Sequence, residues 1–200
     1  MKPKIELSNL PASIILASAS PRRRQLLAKA GYKFKVAPAD IDESAFPAEG
    51  IEPCVYAERL ALEKAKTVAG RFPDSLVIGA DTVVDFGGQI IGKAADAKEA
   101  EDITKKLFSQ PHKVITAVAI VRLRDDTQIV KSQASTVYPK KLTDEQIAEH
   151  IKSKTWQGKA GAYAIQEGGD EFVERIEGSL TNVMGLPMEL LGGLLSKICD

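Results

Sequence analysis

Ser18, Ser20, Arg22 and Arg23 fall within one short run, Ser18-Ala19-Ser20-Pro21-Arg22-Arg23, and a third arginine, Arg24, follows at once. Side chains of these types bind anions. Ser20 occupies a helix N-cap position, and Pro21 takes the first helical position, where its missing N–H is no loss. Cations in a first helical turn oppose the helix dipole, so on stability grounds this is a poor place for them. An anion reverses the sign, because free backbone N–H groups, serine hydroxyls and guanidinium forks then converge on one point. We read the run as a phosphate cradle in which Ser18 and Ser20 take part. A solvated basic helix face accounts for Arg24, but not for Ser-Pro-Arg-Arg directly after the apolar run Ile14-Ile15-Leu16.

The second chemical signal is Asp81. It interrupts the apolar stretch Ser75–Asp85, SLVIGADTVVD. A carboxylate inside a buried strand must be paired, bound to metal or kept for chemistry, because burying it bare is costly. A structural Asp bonded to neighbouring backbone N–H groups is the alternative. Lys93 ends a decoy, since Gly87-x4-Gly92-Lys93 copies most of a phosphate-binding P-loop. Ala94 stands where that loop needs Ser or Thr, and the glycines punctuate a hairpin rather than joining strand to helix. The P-loop reading fails, and Lys93 remains as a point charge for a phosphate. Asp40, Asp42, Glu43 and Glu49 form an acidic loop, on residues alone a solvated one. Its functional alternative is that one or two of them hold a hard divalent cation. Gln166 carries an amide suited to a pyrimidine edge, although a turn-bonding glutamine is the default. Lys64 gives no signal of its own. His112 and His150 accompany no Ser or Cys nucleophile in a recognisable elbow, so they read as structural or surface residues.

These side chains need elements to hold them. Ile14–Leu16 has the length and apolarity of a buried strand, and 33–38 alternates as a half-buried one, with Phe34 and Val36 inward. Pro53 opens a long helix to about Gly70, its apolar stripe assigned to Val55, Leu60, Ala61, Ala65 and Val68. Leu76–Ile78 and Val83-Val84 flank Asp81 as buried strand, and Gly79 admits a close backbone or ligand. A hairpin turns at Gly87-Gly88. Asp96 with Glu99, and Thr143 with Gln146, open two further helices, the first burying Ala100, Ile103 and Leu107. His112 stands in a turn before a Val- and Ile-rich strand, 113–124, which pairs with 128–138 across Asp125-Asp126. Segments 172–176 and 180–184 are expected as a last strand pair around Glu177-Gly178. Pro187 starts a closing helix with Leu190, Leu191, Leu194 and Leu195 inward. The pattern is α/β.

Two hundred residues suit one domain with a sizeable core. With 27 basic and 27 acidic side chains there is no net charge, whereas a protein living on nucleic acid carries a basic excess, so nucleic acid is not expected as a partner. Cys54 and Cys199 are the only cysteines and lie far apart, which argues against a disulfide framework or a zinc site and fits a reducing compartment. Lys2 and Lys4 before an apolar run imitate a secretion signal, but Glu6 and Pro11 interrupt it. No run approaches the ~18 apolar residues of a membrane span. A cytoplasmic protein with no membrane partner is the expectation.

In chain order, Ser18–Arg23, the helix bearing Arg59, Glu63, Lys64 and Ala65, Gly79-Ala80-Asp81-Thr82, Gly92-Lys93, Ala160-Gly161-Ala162-Tyr163-Ala164-Ile165-Gln166 and Gly185-Leu186-Pro187 form a set. This set resembles the Maf family of nucleoside triphosphate pyrophosphatases. The resemblance runs from about Ile14 to the C-terminus, giving one domain over 14–200 and an N-terminal extension, 1–13, without assigned function. It implies a mixed, twisted sheet flanked by helices, with an active-site cleft between two lobes. It implies hydrolysis between the α and β phosphates with a divalent cation, Mg2+ or Mn2+, and a homodimer. Asp81 then matches the general base, and Glu43 a carboxylate associated with metal; Asp81 as base and Asp81 as metal ligand both stand open. Arg22, Thr82 and Gln166 match positions that choose the base, and Arg23, Lys64 and Lys93 match phosphate contacts. Arg after Ser-Pro, Ala-Asp-Thr and Tyr-x-Ile-Gln are similar to the branch acting on dTTP and UTP. The branch acting on 7-methyl-GTP tends instead to Trp, Ser-Asp-Gln and Gly-Ser-Phe-Lys, and is the nearest alternative. Ala94 departs from the proline usual after the hairpin lysine. A non-catalytic regulator of cell division is a further role attached to the family; the neutral charge and intact Asp81 argue against it.

Overall fold

Apolar runs of two lengths build one seven-stranded sheet in the computed structural model, which describes residues 13–163 and 172–199. The short runs Ile14–Leu16 (β1) and Phe34–Val36 (β2) lie parallel to each other and to the start of Leu76–Phe86 (β3). The hairpin strand Gln89–Ile91 (β4) returns antiparallel on β3. The long strands His112–Arg122 (β5) and Thr127–Pro139 (β6) and the short Val173–Glu177 (β7) continue the sheet antiparallel, in the order β2-β1-β3-β5-β6-β7. The sheet is therefore mixed, as expected. β1 to β2 and β2 to β3 are crossovers through the helices Pro21–Lys29 (α1) and Pro53–Ala69 (α2).

Alternation along β3 divides the core between two faces. Leu76, Ile78 and Ala80 pack with Leu26 and Leu27 of α1 and with Leu186, Leu191 and Leu195, the last two on the closing helix Met188–Cys199 (α6). Val77, Ile15, Ala117 and Ala119 pack on the opposite face against Ala57, Ala61, Ala65 and Val68 of α2. Each of the large side chains here contributes about 1.5–3 kcal/mol by leaving water. At the far end of the long strands, Ala97–Leu107 (α3) packs against Asp144–Lys152 (α4). There Val84, Leu107, Phe108, Val114, Val137 and Tyr163 form a third cluster, the core of a second lobe.

The caps formed where the residues placed them. Ser20 Oγ accepts from Arg23 N, Asp96 from Glu99 N, and Thr143 with Gln146 completes a capping box. Four expectations need correcting. The segment expected as strand 180–184 is a short helix, Leu180–Val183 (α5), because Ser179 caps Asn182 N and β7 already pairs with β6. Val55 is 52% exposed; it lies about 200° around the helix from Ala57, on the far side from the sheet. Val36 is 42% exposed because β2 is an edge strand with β1 as its neighbour. His112 is not in a turn but is the buried first residue of β5. The extension 1–13 lies outside the described residues except for Ser13, whose carbonyl accepts from Leu76 N at 3.0 Å.

Candidate active site

The sheet leaves one edge open where Asp81 stands. β1 pairs with β3 only as far as Leu16 opposite Ile78, after which Ala17 N donates to Ile78 O and the chain departs into α1. β4 joins the same edge only from Val84 onward. Between them, 79–83 of β3 face no strand among the described residues, and a cleft of about 400 Å³ opens there. It lies beyond the carboxyl end of β1 and at the N-terminus of α1, the place where open α/β sheets bind ligands. Ser18, Ser20, Arg22, Arg23, Glu43, Lys64, Asp81, Thr82 and Lys93 all line it. One cleft thus collects nine of the ten residues singled out from sequence. The tenth, Gln166, lies outside the described residues.

The adjacent arginines divide their work. Arg23 turns inward: Nε donates to Gly185 O at 2.7 Å, Nη1 to Ala80 O at 2.9 Å and Ser18 Oγ at 3.3 Å, and Nη2 to Thr82 Oγ1 at 3.0 Å. Four of its five N–H groups are therefore taken by protein acceptors. It joins α1 to β3 and to the turn after α5. Burial pulls its pKa down, and the Asp81 charge counters this. Ser18 Oγ accepts from Ser20 N at 3.2 Å, and Ser20 Oγ from Arg23 N at 3.4 Å. Among the described residues both hydroxyls act as acceptors, which leaves their protons to a ligand. Arg22 makes no hydrogen bond or ion pair among the described residues, and burial lowers its pKa. Among the described residues it is the cleft guanidinium left free for a ligand.

On the other side of β3, Lys64 Nζ lies 2.5 Å from Asp81 Oδ1 and 2.8 Å from Glu43 Oε1, and Lys93 Nζ lies 2.8 Å from Glu43 Oε2. Gly79 makes this contact: a Cβ there would overlap Ala61 O and sit 2.8 Å from Ala65 N, so only glycine lets α2 lie against β3 and bring Lys64 to Asp81. Burial opposes ionisation of Glu43, but hydrogen bonds and charge from both lysines overcome it and hold its pKa at about 2. Two carboxylate oxygens converge on one ammonium. Among the described residues no group of three His, Cys, Asp or Glu side chains forms a metal cage. A hard cation that takes one or two carboxylates and completes its shell with substrate phosphates and water fits such a pair.

The residues 13–198 match the family described as Maf-like protein. The chain belongs to the Maf family. A dTTP/UTP pyrophosphatase of Citrifermentans bemidjiense is 46% identical over 177 residues, covering 88% of this chain and 91% of that protein. One of Pelotomaculum thermopropionicum is 41% identical over 184 residues, covering 92% and 95%. A solved Ham1 protein of Staphylococcus aureus shares the fold, with a TM-score of 0.52 over 93% of this chain and 97% of that one at 10% identity. No helix among the described residues of this Maf-family chain is long and apolar enough to cross a membrane.

One cleft residue of the Maf-family chain escaped the sequence reading. Lys159 lines the cleft in the segment 158–160, tied to the hairpin end by a bridge between Lys93 and Ala160 and by Gly161 N donating to Gly92 O. Burial and the neighbouring Arg22 charge both lower its pKa. Its only sequence signal is its place just before the Ala160–Gln166 motif. With Lys159 the described residues of the cleft supply five cations against two carboxylates, an excess that suits the roughly three to four negative charges of a triphosphate. Lys159→Gln is expected to raise KM for a nucleoside triphosphate about tenfold with kcat within about threefold, read by steady-state kinetics.

His112 belongs to the wall rather than to the chemistry. Its Nδ1 lies 3.1 Å from Leu107 O, an acceptor, so Nδ1 carries the proton and Nε2 accepts from Tyr163 Oη at 2.6 Å. His150 is likewise buried, 2.8 Å from Ala162 O. Burial holds the His112 pKa below its ordinary value. Below about pH 6.5 the unfolded chain then binds the proton first. The stability this histidine contributes is full above that pH and is lost as pH falls toward the folded-state value, by at most about 1.4 kcal/mol per pH unit. Thermal unfolding between pH 7.5 and 5.5 is expected to show a steeper fall in Tm for wild type than for His112→Gln.

Proposed function

We propose that this protein hydrolyses dTTP and UTP, and modified pyrimidine nucleotides of the same shape, to the monophosphate and pyrophosphate. The observation that carries the reading is Asp81, held by Lys64 on the open edge of β3, in one cleft with the unpaired Arg22 and the Ser18 and Ser20 hydroxyls. Lys64 takes Asp81 Oδ1, which leaves Oδ2 to orient a water and accept its proton. Phosphate oxygens would take the serine hydroxyl protons, the backbone N–H of Arg22 that the caps leave over, and the charges of Arg22, Lys93 and Lys159. Positioning and charge stabilisation of this kind supply most of the rate of phosphoryl chemistry. We propose further that Asp81 and Glu43 would hold Mg2+ or Mn2+, which would supply charge neutralisation and Lewis acidity to the reaction. In this reading Arg22, Thr82 and Gln166 choose the base, and Arg23 supports the phosphate contacts mainly by placing α1. The names of the relatives at 41–46% identity support the choice of dTTP and UTP. A cytoplasmic enzyme follows from that substrate.

Pyrophosphate release from a panel of dTTP, UTP, CTP, GTP, ATP and 7-methyl-GTP tests the proposal. Preference for dTTP and UTP is the expected result. Preference for 7-methyl-GTP would move the protein to the alternative branch. Binding without turnover of any nucleotide would leave the non-catalytic role.

A further inference from the structure

A line of hydrogen bonds runs from the cleft into the sheet. Arg23 Nη2 donates to Thr82 Oγ1 at 3.0 Å, the Thr82 and Thr116 hydroxyls lie 2.9 Å apart, and Thr116 Oγ1 donates to the backbone carbonyl of Asn182 at 2.8 Å. The guanidinium at one end has no acceptor, and the carbonyl at the other has no donor. Each hydroxyl between them carries one proton. The Thr116 proton goes to the carbonyl, so Thr82 must give its own proton to Thr116 and receive one from Arg23. Only one arrangement of protons satisfies the line.

Its far end is fixed. Asn182 is fully buried; its Oδ1 accepts from Thr116 N at 3.1 Å, and its Nδ2 donates to Val114 O and Ser135 Oγ, both at 2.9 Å. Thr82 itself lines the cleft. With its proton and one lone pair committed, it offers the cleft a single remaining lone pair. Thr82 is an acceptor only.

We propose that Thr116 and Asn182 are positioning residues that hold the Thr82 hydroxyl as an acceptor for a base N–H. The site then takes bases with an imide N3–H, uracil and thymine, over cytosine, whose N3 is itself an acceptor. This inference rests on the pyrimidine reading above and adds how the base is read.

The test compares kcat/KM for UTP and CTP, together with Tm, in wild type, Thr116→Val and Thr116→Ser. Valine keeps the shape and the backbone N–H to Asn182 but breaks the line, freeing the Thr82 proton to turn toward the cleft. Thr116→Val is expected to lower the UTP-to-CTP ratio about tenfold, chiefly through UTP, while Thr116→Ser keeps it within about twofold. A folded Thr116→Val that retains the wild-type ratio overturns the inference, as does a Thr116→Ser that loses it as fully as valine. If Thr116→Val does not fold, wild type with UTP and N3-methyl-UTP decides: the methylated nucleotide is expected to be about tenfold poorer, and equal kcat/KM overturns the inference. Wild-type turnover of neither UTP nor CTP removes the pyrimidine reading itself, a failure visible before any variant is made.

Discussion

Asp81→Asn is expected to lower kcat for UTP about a thousandfold while the protein folds and binds nucleotide much as before. The amide keeps the shape of the carboxylate and its place on β3, but it cannot take a proton from water. Folding survives because Lys64 keeps a partner: Glu43 Oε1 lies 2.8 Å from the same Nζ. Binding survives because one negative charge leaves a cleft that receives a polyanion. Pyrophosphate release gives kcat, calorimetric titration gives nucleotide affinity, and circular dichroism checks the fold. An Asp81→Asn protein with kcat within about tenfold of wild type would remove Asp81 from the role given to it.

Gly79→Ala is expected to destabilise the protein by about 3 kcal/mol and to remove activity as well. The added Cβ overlaps Ala61 O and lies 2.8 and 2.9 Å from Ala65 N and Cβ. Two of these neighbours are backbone, so relief requires α2 to lift from β3. The layer of Ala57, Ala61, Ala65 and Val68 against the sheet loses its packing. Lys64, next to Ala65 on that helix, then loses its 2.5 Å contact with Asp81. For a chain of this length the Tm falls by roughly 6–12 °C. Thermal unfolding followed at pH 7.5 measures it. A Tm within about 2 °C of wild type would show that α2 does not need the missing Cβ.

Local signals in the sequence were the readable ones. Ser20, Asp96 and Thr143 disclose helix starts because a cap is a matter of a few consecutive residues. Asp81 is visible because a charge inside an apolar strand needs a reason. The role of Lys64 is not local: it depends on α2 lying on β3 across 17 residues of chain, and a lysine on a helix surface is ordinary. The adjacent Arg22 and Arg23 look equivalent until folding turns one inward to four protein acceptors and leaves the other facing the cleft. Thr116 in a strand rich in β-branched residues carries no signal at all, and its partner Asn182 lies in the segment expected as strand. That segment has the apolar content of a strand; only its burial against β5, with Ser179 capping it, makes it a helix.

In the proposed reaction, water aligned by Asp81 attacks the α phosphorus of a pyrimidine nucleoside triphosphate held in this cleft. Turnover of UTP in 18O-labelled water, with both products analysed by mass spectrometry, tests it most directly. One 18O atom in UMP and none in pyrophosphate is the expected result. Label in pyrophosphate, or release of inorganic phosphate and UDP, would contradict it.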